Sequence, residues 1–219
     1  MTMYFESRAT AGAQLAADLI GKYRYENTAV LALSDGGVAV GYQIAIYLHA
    51  ALHRLAMGEV VIEDESIDYC TVLPGGVVAI NPHISAGTQE YYMKEYSGIL
   101  DIQLREQMSK INQMAGLSDI TPEIFRDYNV IVTDDGIHTD TAMDAVRVWL
   151  KPARIKRLVL ATPLISVDAL DAAHVIFDEL HILSVKPHMM DTQHYYDVYD
   201  EPNQQMQQAM IRDSMLHWK

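Results

Sequence analysis

The run Val130-Ile131-Val132-Thr133-Asp134-Asp135-Gly136-Ile137-His138-Thr139-Asp140-Thr141-Ala142-Met143 passes from an apolar strand to two adjacent carboxylates. A short loop of small and hydroxyl-bearing residues follows, and then the start of a helix. A strand with no polar alternation is buried on both faces, as in a parallel sheet covered by helices. In such a sheet ligands bind at the carboxyl ends of the strands, so the residues just after each apolar run are the informative ones. Here the loop amides and the helix dipole are suited to a phosphate, and the neighbouring acids to sugar hydroxyls or a hydrated magnesium ion. The plainer alternative is that Asp134 and Asp135 satisfy turn amides while Thr139 or Asp140 caps the helix.

The same alternation extends on both sides of this run. Upstream, the spacing of Ala11, Leu15, Leu19 and Tyr23 predicts a helix over Arg8–Tyr23. The apolar run 28–33 is a strand ended by Ser34-Asp35-Gly36-Gly37, read as a tight glycine turn. Ile44, Leu48, Leu52 and Leu55 then predict a helix over 38–55. Downstream come a helix over 139–151, a strand over 157–162, a short helix over 167–173 and a strand over 181–185. A final helix begins at Asn203, with Met206, Met210 and Leu216 expected to face the body. Strands separated by helices of this length imply a parallel sheet with helices on both faces.

The segment 58–115 has a different character. Its apolar runs 60–62, 68–73 and 77–80 are antiparallel material, with Pro74-Gly75-Gly76 as a hairpin turn, and a long helical pattern over 88–115 is interrupted at Ser97-Gly98. The expected architecture is therefore one α/β domain over 1–219. Its central parallel sheet has about five strands flanked by helices, and a small hood containing a β-hairpin is inserted at about 58–115.

Composition narrows the function. Sixteen Lys and Arg against 29 Asp and Glu give a formal net charge of −13, which argues against a nucleic-acid binder relying on overall basic charge. The single cysteine, Cys70, excludes an internal disulfide and a cysteine-based zinc cluster. The opening residues Met1 to Arg8 lack a basic segment followed by an apolar run, and no later stretch reaches membrane-spanning length, so the expected location is cytoplasmic, without membrane.

Within that frame, the run 130–143 resembles the signature of the type I phosphoribosyltransferases, in which a strand is followed by two acids and a threonine- and glycine-rich loop. Phe5, Arg8, Gly12 and Leu15 are similar to the opening of a group of predicted bacterial phosphoribosyltransferases. The run Val30 to Val40 resembles their diphosphate-binding loop, Val159 to Pro163 a later strand, and Tyr195, Tyr196 and Tyr199 their C-terminal aromatic segment. The resemblance implies that Asp134 and Asp135 bind the ribose hydroxyls of phosphoribosyl diphosphate. It implies too that Ile137, His138, Thr139, Asp140 and Thr141 bind its 5-phosphate, while Ser34, Asp35, Gly36 and Gly37 bind diphosphate with magnesium. The magnesium would sit near Asp134 and Asp135.

The implied reaction is displacement of diphosphate at the anomeric carbon by a nitrogen nucleophile such as a nucleobase. Two residues depart from the pattern: Asp35 stands where the group has Arg or Lys, and Asp140 where the phosphate loop has Gly. The basic residue usual in the hood has no counterpart in 57–63. A second reading is thus a catalytically inactive binding or assembly module with the same fold. The resemblance leaves a homodimer open.

Other motifs are weaker. Gly36, Gly37 and Gly41 do not space as a dinucleotide fingerprint, and no nucleophile elbow surrounds Ser34. Lys186-Pro187 is like the lysine of response-regulator receivers, but the order of the acids differs. His49 and His53, four apart, lack a nearby third metal ligand. His181, His188 and His194 either face the site or solvate a loop.

Overall fold

Ser7 and Ser34 start the first two helices in the same way. In the computed structural model, which describes residues 4–114 and 120–217, the Ser7 hydroxyl accepts from the Thr10 amide at 3.1 Å and opens helix α1, Arg8–Tyr23. Strand β1, Thr28–Ala32, follows and is buried at every residue. The Ser34 hydroxyl then accepts from the Gly37 amide at 2.8 Å and opens helix α2, Asp35–Leu48. The expected glycine turn is thus the first turn of a helix.

Helix α2 is shorter than its apolar spacing suggests. His49 adopts a left-handed conformation, φ 55°, and strand β2, Ala51–Arg54, replaces the expected last turns. Leu52 is fully buried in that strand. A spacing of four therefore holds across the boundary without a continuous helix.

The hood follows the sequence reading closely. Strands β3, Gly58–Ile62, β4, Ile67–Leu73, and β5, Val77–Ile80, form an antiparallel sheet in which Val60 pairs with Cys70 and Leu73 with Val77. Gly75 and Gly76 both have positive φ, 79° and 75°, which the hairpin requires and which glycine adopts at least cost. Helices α3, Ala86–Glu95, and α4, Ser97–Gln113, meet at Tyr96, beside the expected break. Ala115, the expected end of that helical pattern and of the hood, lies outside the described residues.

The remaining elements are β6, Asn129–Thr133, α5, Thr141–Leu150, β7, Arg157–Ser166, α6, Val167–Ile176, β8, Glu179–Lys186, and α7, Gln204–Leu216. The five-stranded sheet has the order β2-β1-β6-β7-β8, and every pairing in it is parallel. Leu15, Leu19, Val38 and Ile44 cover one face, with Val30 and Ile131 beneath them. Phe125, Val146 and Trp149 cover the other, against Leu31 and Val132. The hood packs on its own cluster around Val60, Val72, Tyr92 and Leu100. Trp149 ties it to the body by donating its indole N–H to the Pro74 carbonyl at 3.1 Å.

The tail corrects one expectation. Met206 and Leu216 are exposed, at 48% and 73%, whereas Met210 packs half-buried against the body as expected, beside the buried Gln207, Ile211 and Ser214. The Ser214 hydroxyl accepts from the Leu52 amide at 3.0 Å, so α7 satisfies part of the open edge of β2. Met1 to Met3 and the last two residues lie outside the described residues. No described helix is long and apolar enough to cross a membrane.

Candidate functional site

Because β1 and β6 are neighbours in the sheet, the segments leaving their carboxyl ends meet. The Ser34 hydroxyl donates to the Asp134 carboxylate and lies 3.2 Å from Asp135 Oδ1. Asp134 Oδ1 also accepts from the Asp135 amide at 2.9 Å. This contact depends on two residues without side chains. A Cβ at Gly36 would collide with the Asp135 carboxylate and stand 2.8 Å from Arg8 Nε, and one at Gly37 would stand 2.9 Å from Asp134 Oδ1. The start of α2 and the acid pair therefore form one surface. Burial, and then the negative Asp135 beside it, push the Asp134 carboxyl well above the ordinary carboxylate range.

Asp135 is balanced by a cation from the far end of the chain. Arg8 is only 2% exposed, and its Nε donates to Asp135 Oδ2 at 2.7 Å. Its Nη1 donates to Gln193 Oε1 at 2.9 Å and to Asp200 Oδ1 at 3.3 Å, and its guanidinium lies 4.7 Å from the centre of the Tyr196 ring. Tyr196 in turn donates to the Asp135 carbonyl at 2.6 Å. Burial, and then Asp135, hold that phenol well above its ordinary range. Sequence reasoning gave Arg8 no role at the site. The available signal was an arginine on the same helical stripe as Ala11 and Leu15.

The loop after the acid pair divides into two parts. Ile137 is buried and bonded on both sides, its amide to the Leu164 carbonyl at 3.0 Å and its carbonyl to the Ser166 amide at 2.9 Å. Its amide is therefore already in use by the sheet. His138 is exposed and bonds the Thr192 hydroxyl at 2.9 Å, and the Thr139 and Thr141 hydroxyls lie 3.1 Å apart. Asp140 occupies the cap position of α5 but makes no side-chain capping bond. Its carboxylate pairs with His83 of the hood at 2.8 Å instead.

The first loop also has partners that its sequence did not reveal. Asp35 lies 3.4 Å from the Arg54 guanidinium, which also donates to the Leu33 and Leu55 carbonyls. Lys110 of α4 lines, together with Asp35 and Gln207, a cleft of about 500 Å³ at the start of α2. Arg54 was assigned to a helix end, and Lys110 belongs to the hood, where nothing in the local sequence signals that it approaches Asp35.

The histidine pairs do not converge. His49 bonds Arg24 and the His217 carbonyl, whereas His53 packs edge-on against Phe125. His181 bonds Glu179 at the amino end of β8, away from the acid pair. Tyr195 donates to the His188 carbonyl, and His194 bonds Tyr4. Among the described residues no three His, Cys, Asp or Glu side chains gather as a metal-binding group.

No protein-family model matches the chain. The protein TT1426 from Thermus thermophilus is 24% identical, with 99% of each chain covered and a TM-score of 0.75, so the two share a fold along their whole length. A hypoxanthine phosphoribosyltransferase from Staphylococcus aureus is 11% identical over 85% of this chain and 77% of that one, with a TM-score of 0.49. A hypothetical protein from Neisseria gonorrhoeae with bound ppGpp is 10% identical over 96% of each chain, also with a TM-score of 0.49.

Proposed function

We propose that the chain is a phosphoribosyltransferase-type transferase, one unit with an inserted hood, acting in the cytoplasm on phosphoribosyl diphosphate and a nitrogen nucleophile such as a nucleobase. The observation that carries this reading is the direct contact of Ser34 with Asp134 and Asp135, flanked by the uncapped amino end of α5. A diphosphate at the start of α2, a ribose over the acid pair and a phosphate at α5 are then parts of one ligand. Asp135 keeps lone pairs beyond its contacts with Ser34 and Arg8, and the raised Asp134 carboxyl retains acceptor capacity in either protonation state, so two sugar hydroxyls can be accommodated. Arg8 fixes the orientation of Asp135 before the ligand arrives, and such pre-organisation is what a displacement at carbon without a covalent intermediate requires.

The donor set fits magnesium only in one manner. Two adjacent carboxylates with no third ligand among the described residues suit a hydrated ion that shares its shell with ligand phosphates, and Asp134 is the side chain available to it. In that role magnesium would neutralise the leaving diphosphate. Arg54 and Lys110 supply the positive charge that the first loop lacks, Arg54 by holding Asp35 and Lys110 from across the cleft.

Calorimetry with phosphoribosyl diphosphate and magnesium tests the reading. Micromolar binding is expected, together with its loss in Gly36→Val, whose side chain would displace Asp135. Absence of binding at millimolar ligand overturns it and leaves the inactive module.

A further inference from the structure

The connectivity leaves one flank of the sheet thinly covered. Strand β2 runs directly into the hood rather than into a helix of its own, and among the described residues the outer end of β1 and β2 borders the turn Pro122–Phe125 and the end of α7. The result is a cavity of about 390 Å³ at the start of β1 and β2, on the part of the sheet remote from the acid pair. Its walls are His53, Ile124, Phe125, Tyr128 and Met215 with small residues between them. Ligand pockets begin at about 300 Å³ and are lined mainly by apolar and aromatic side chains with a few polar groups, as this one is.

His53 is the polar side chain that matters in this wall. Its ring stands edge-on to Phe125, with centroids 5.3 Å apart, and it has no hydrogen-bond partner among the described residues. Burial pushes the imidazole down to about 4, so it is neutral at pH 7 and offers one donor and one acceptor. A neutral ring and a chain of formal net charge −13 both disfavour an anionic guest.

We propose that this cavity is a binding site for a small neutral aromatic molecule with one polar N–H or O–H, held flat between Phe125, Tyr128 and Met215 and hydrogen-bonded to His53. It is independent of the phosphoribosyl site.

Indole is the probe, titrated calorimetrically into the full chain, with indole-3-carboxylate as its anionic counterpart. The expected result is one saturable site per chain at submillimolar indole, with the carboxylate at least about tenfold weaker, since a charged group lacking a counter-ion is costly to desolvate. His53→Leu keeps the wall apolar and removes the hydrogen bond, and about a tenfold loss of affinity is expected. Met215→Trp fills the rim from an exposed position and should weaken indole further.

No saturation at millimolar indole, equal binding of the carboxylate, or unchanged affinity in either variant overturns the proposal. Sedimentation of the same proteins covers the remaining occupant. A dimer that Met215→Trp converts to monomer would assign this flank to a second copy of the chain, and that also overturns it.

Discussion

At the scale of single residues, the acid pair is the part of the site that was legible and its counter-charge is the part that was not. Two carboxylates directly after an apolar strand mark a strand end in any parallel sheet, so Asp134 and Asp135 stood out from spacing alone. Arg8 did not, because it lies 127 residues from its partner Asp135 and a lone arginine at a helix start ordinarily faces water. The asymmetry has a measurable consequence. Arg8 pairs with Asp135, whereas Asp134 is buried beside a like charge and its carboxyl is raised. A carboxyl raised on folding makes the folded state bind more protons than the unfolded one, so stability declines as pH rises above about 4, the unfolded value. Asp134→Asn keeps an acceptor for Ser34 and the Asp135 amide but cannot ionise. Its melting temperature is expected to match the wild type near pH 4 and to exceed it increasingly toward pH 8. Parallel curves across that range would mean that Asp134 carries no such burden.

Among the elements, α1, β1, β6, β7 and the hood hairpin were legible because each has a signal of its own: an apolar stripe, an unalternating run, or Pro74 followed by two glycines. The fifth strand of the sheet was not. Its four residues continue the spacing of Ile44 and Leu48, and the left-handed His49 that ends the helix is not a residue type that announces a stop. The inward face of α7 was read correctly at Met210 and missed elsewhere for a related reason. Gln207 and Ser214 are buried through hydrogen bonds, to the Pro202 carbonyl at 2.9 Å and from the Leu52 amide at 3.0 Å, and apolar patterning is blind to such bonds.

Strand β2 also carries its own pH dependence. Below an unfolded value of about 6.5, the unfolded chain protonates His53 while the folded chain, at about 4, does not. Stability attributable to His53 is present above pH 6.5 and is lost as pH falls toward 4, by up to roughly 3 kcal/mol over the interval. Urea unfolding of the wild type and His53→Leu at pH 7 and pH 4.5 isolates this contribution. The difference between the two proteins should move in favour of the variant at the lower pH, and a constant difference would assign the acid sensitivity to other groups.

For the molecule as a whole, charge is the quantity that joins hood, body and ligand. A formal net charge of −13 disfavours the approach of anions in general, and at the carboxyl edge of the sheet Arg8, Arg54 and Lys110 oppose that repulsion while each local carboxylate adds to it. Asp140 is the sharpest of these, yet its carboxylate reaches away from the α5 amides to His83 of the hood. That pairing separates two effects of Asp140→Gly. The His83 side chain is largely exposed, and pairs of that kind contribute about 0 to 1 kcal/mol, while the missing side-chain cap means there is no capping bond to lose. The melting temperature should therefore change little.

Binding should change more, because removing one charge at about 6 Å from a phosphate relieves roughly 1 to 3 kcal/mol of repulsion for effective dielectrics between 80 and 20. The expected result for phosphoribosyl diphosphate with magnesium is at least about a fivefold gain in affinity at low salt. The gain should shrink as ionic strength passes 0.1 M, where the screening length is about 10 Å. A gain that ignores salt would point to the backbone freedom of glycine instead of charge. A fall in melting temperature with no change in affinity would mean that the loop braces the hood and meets no phosphate.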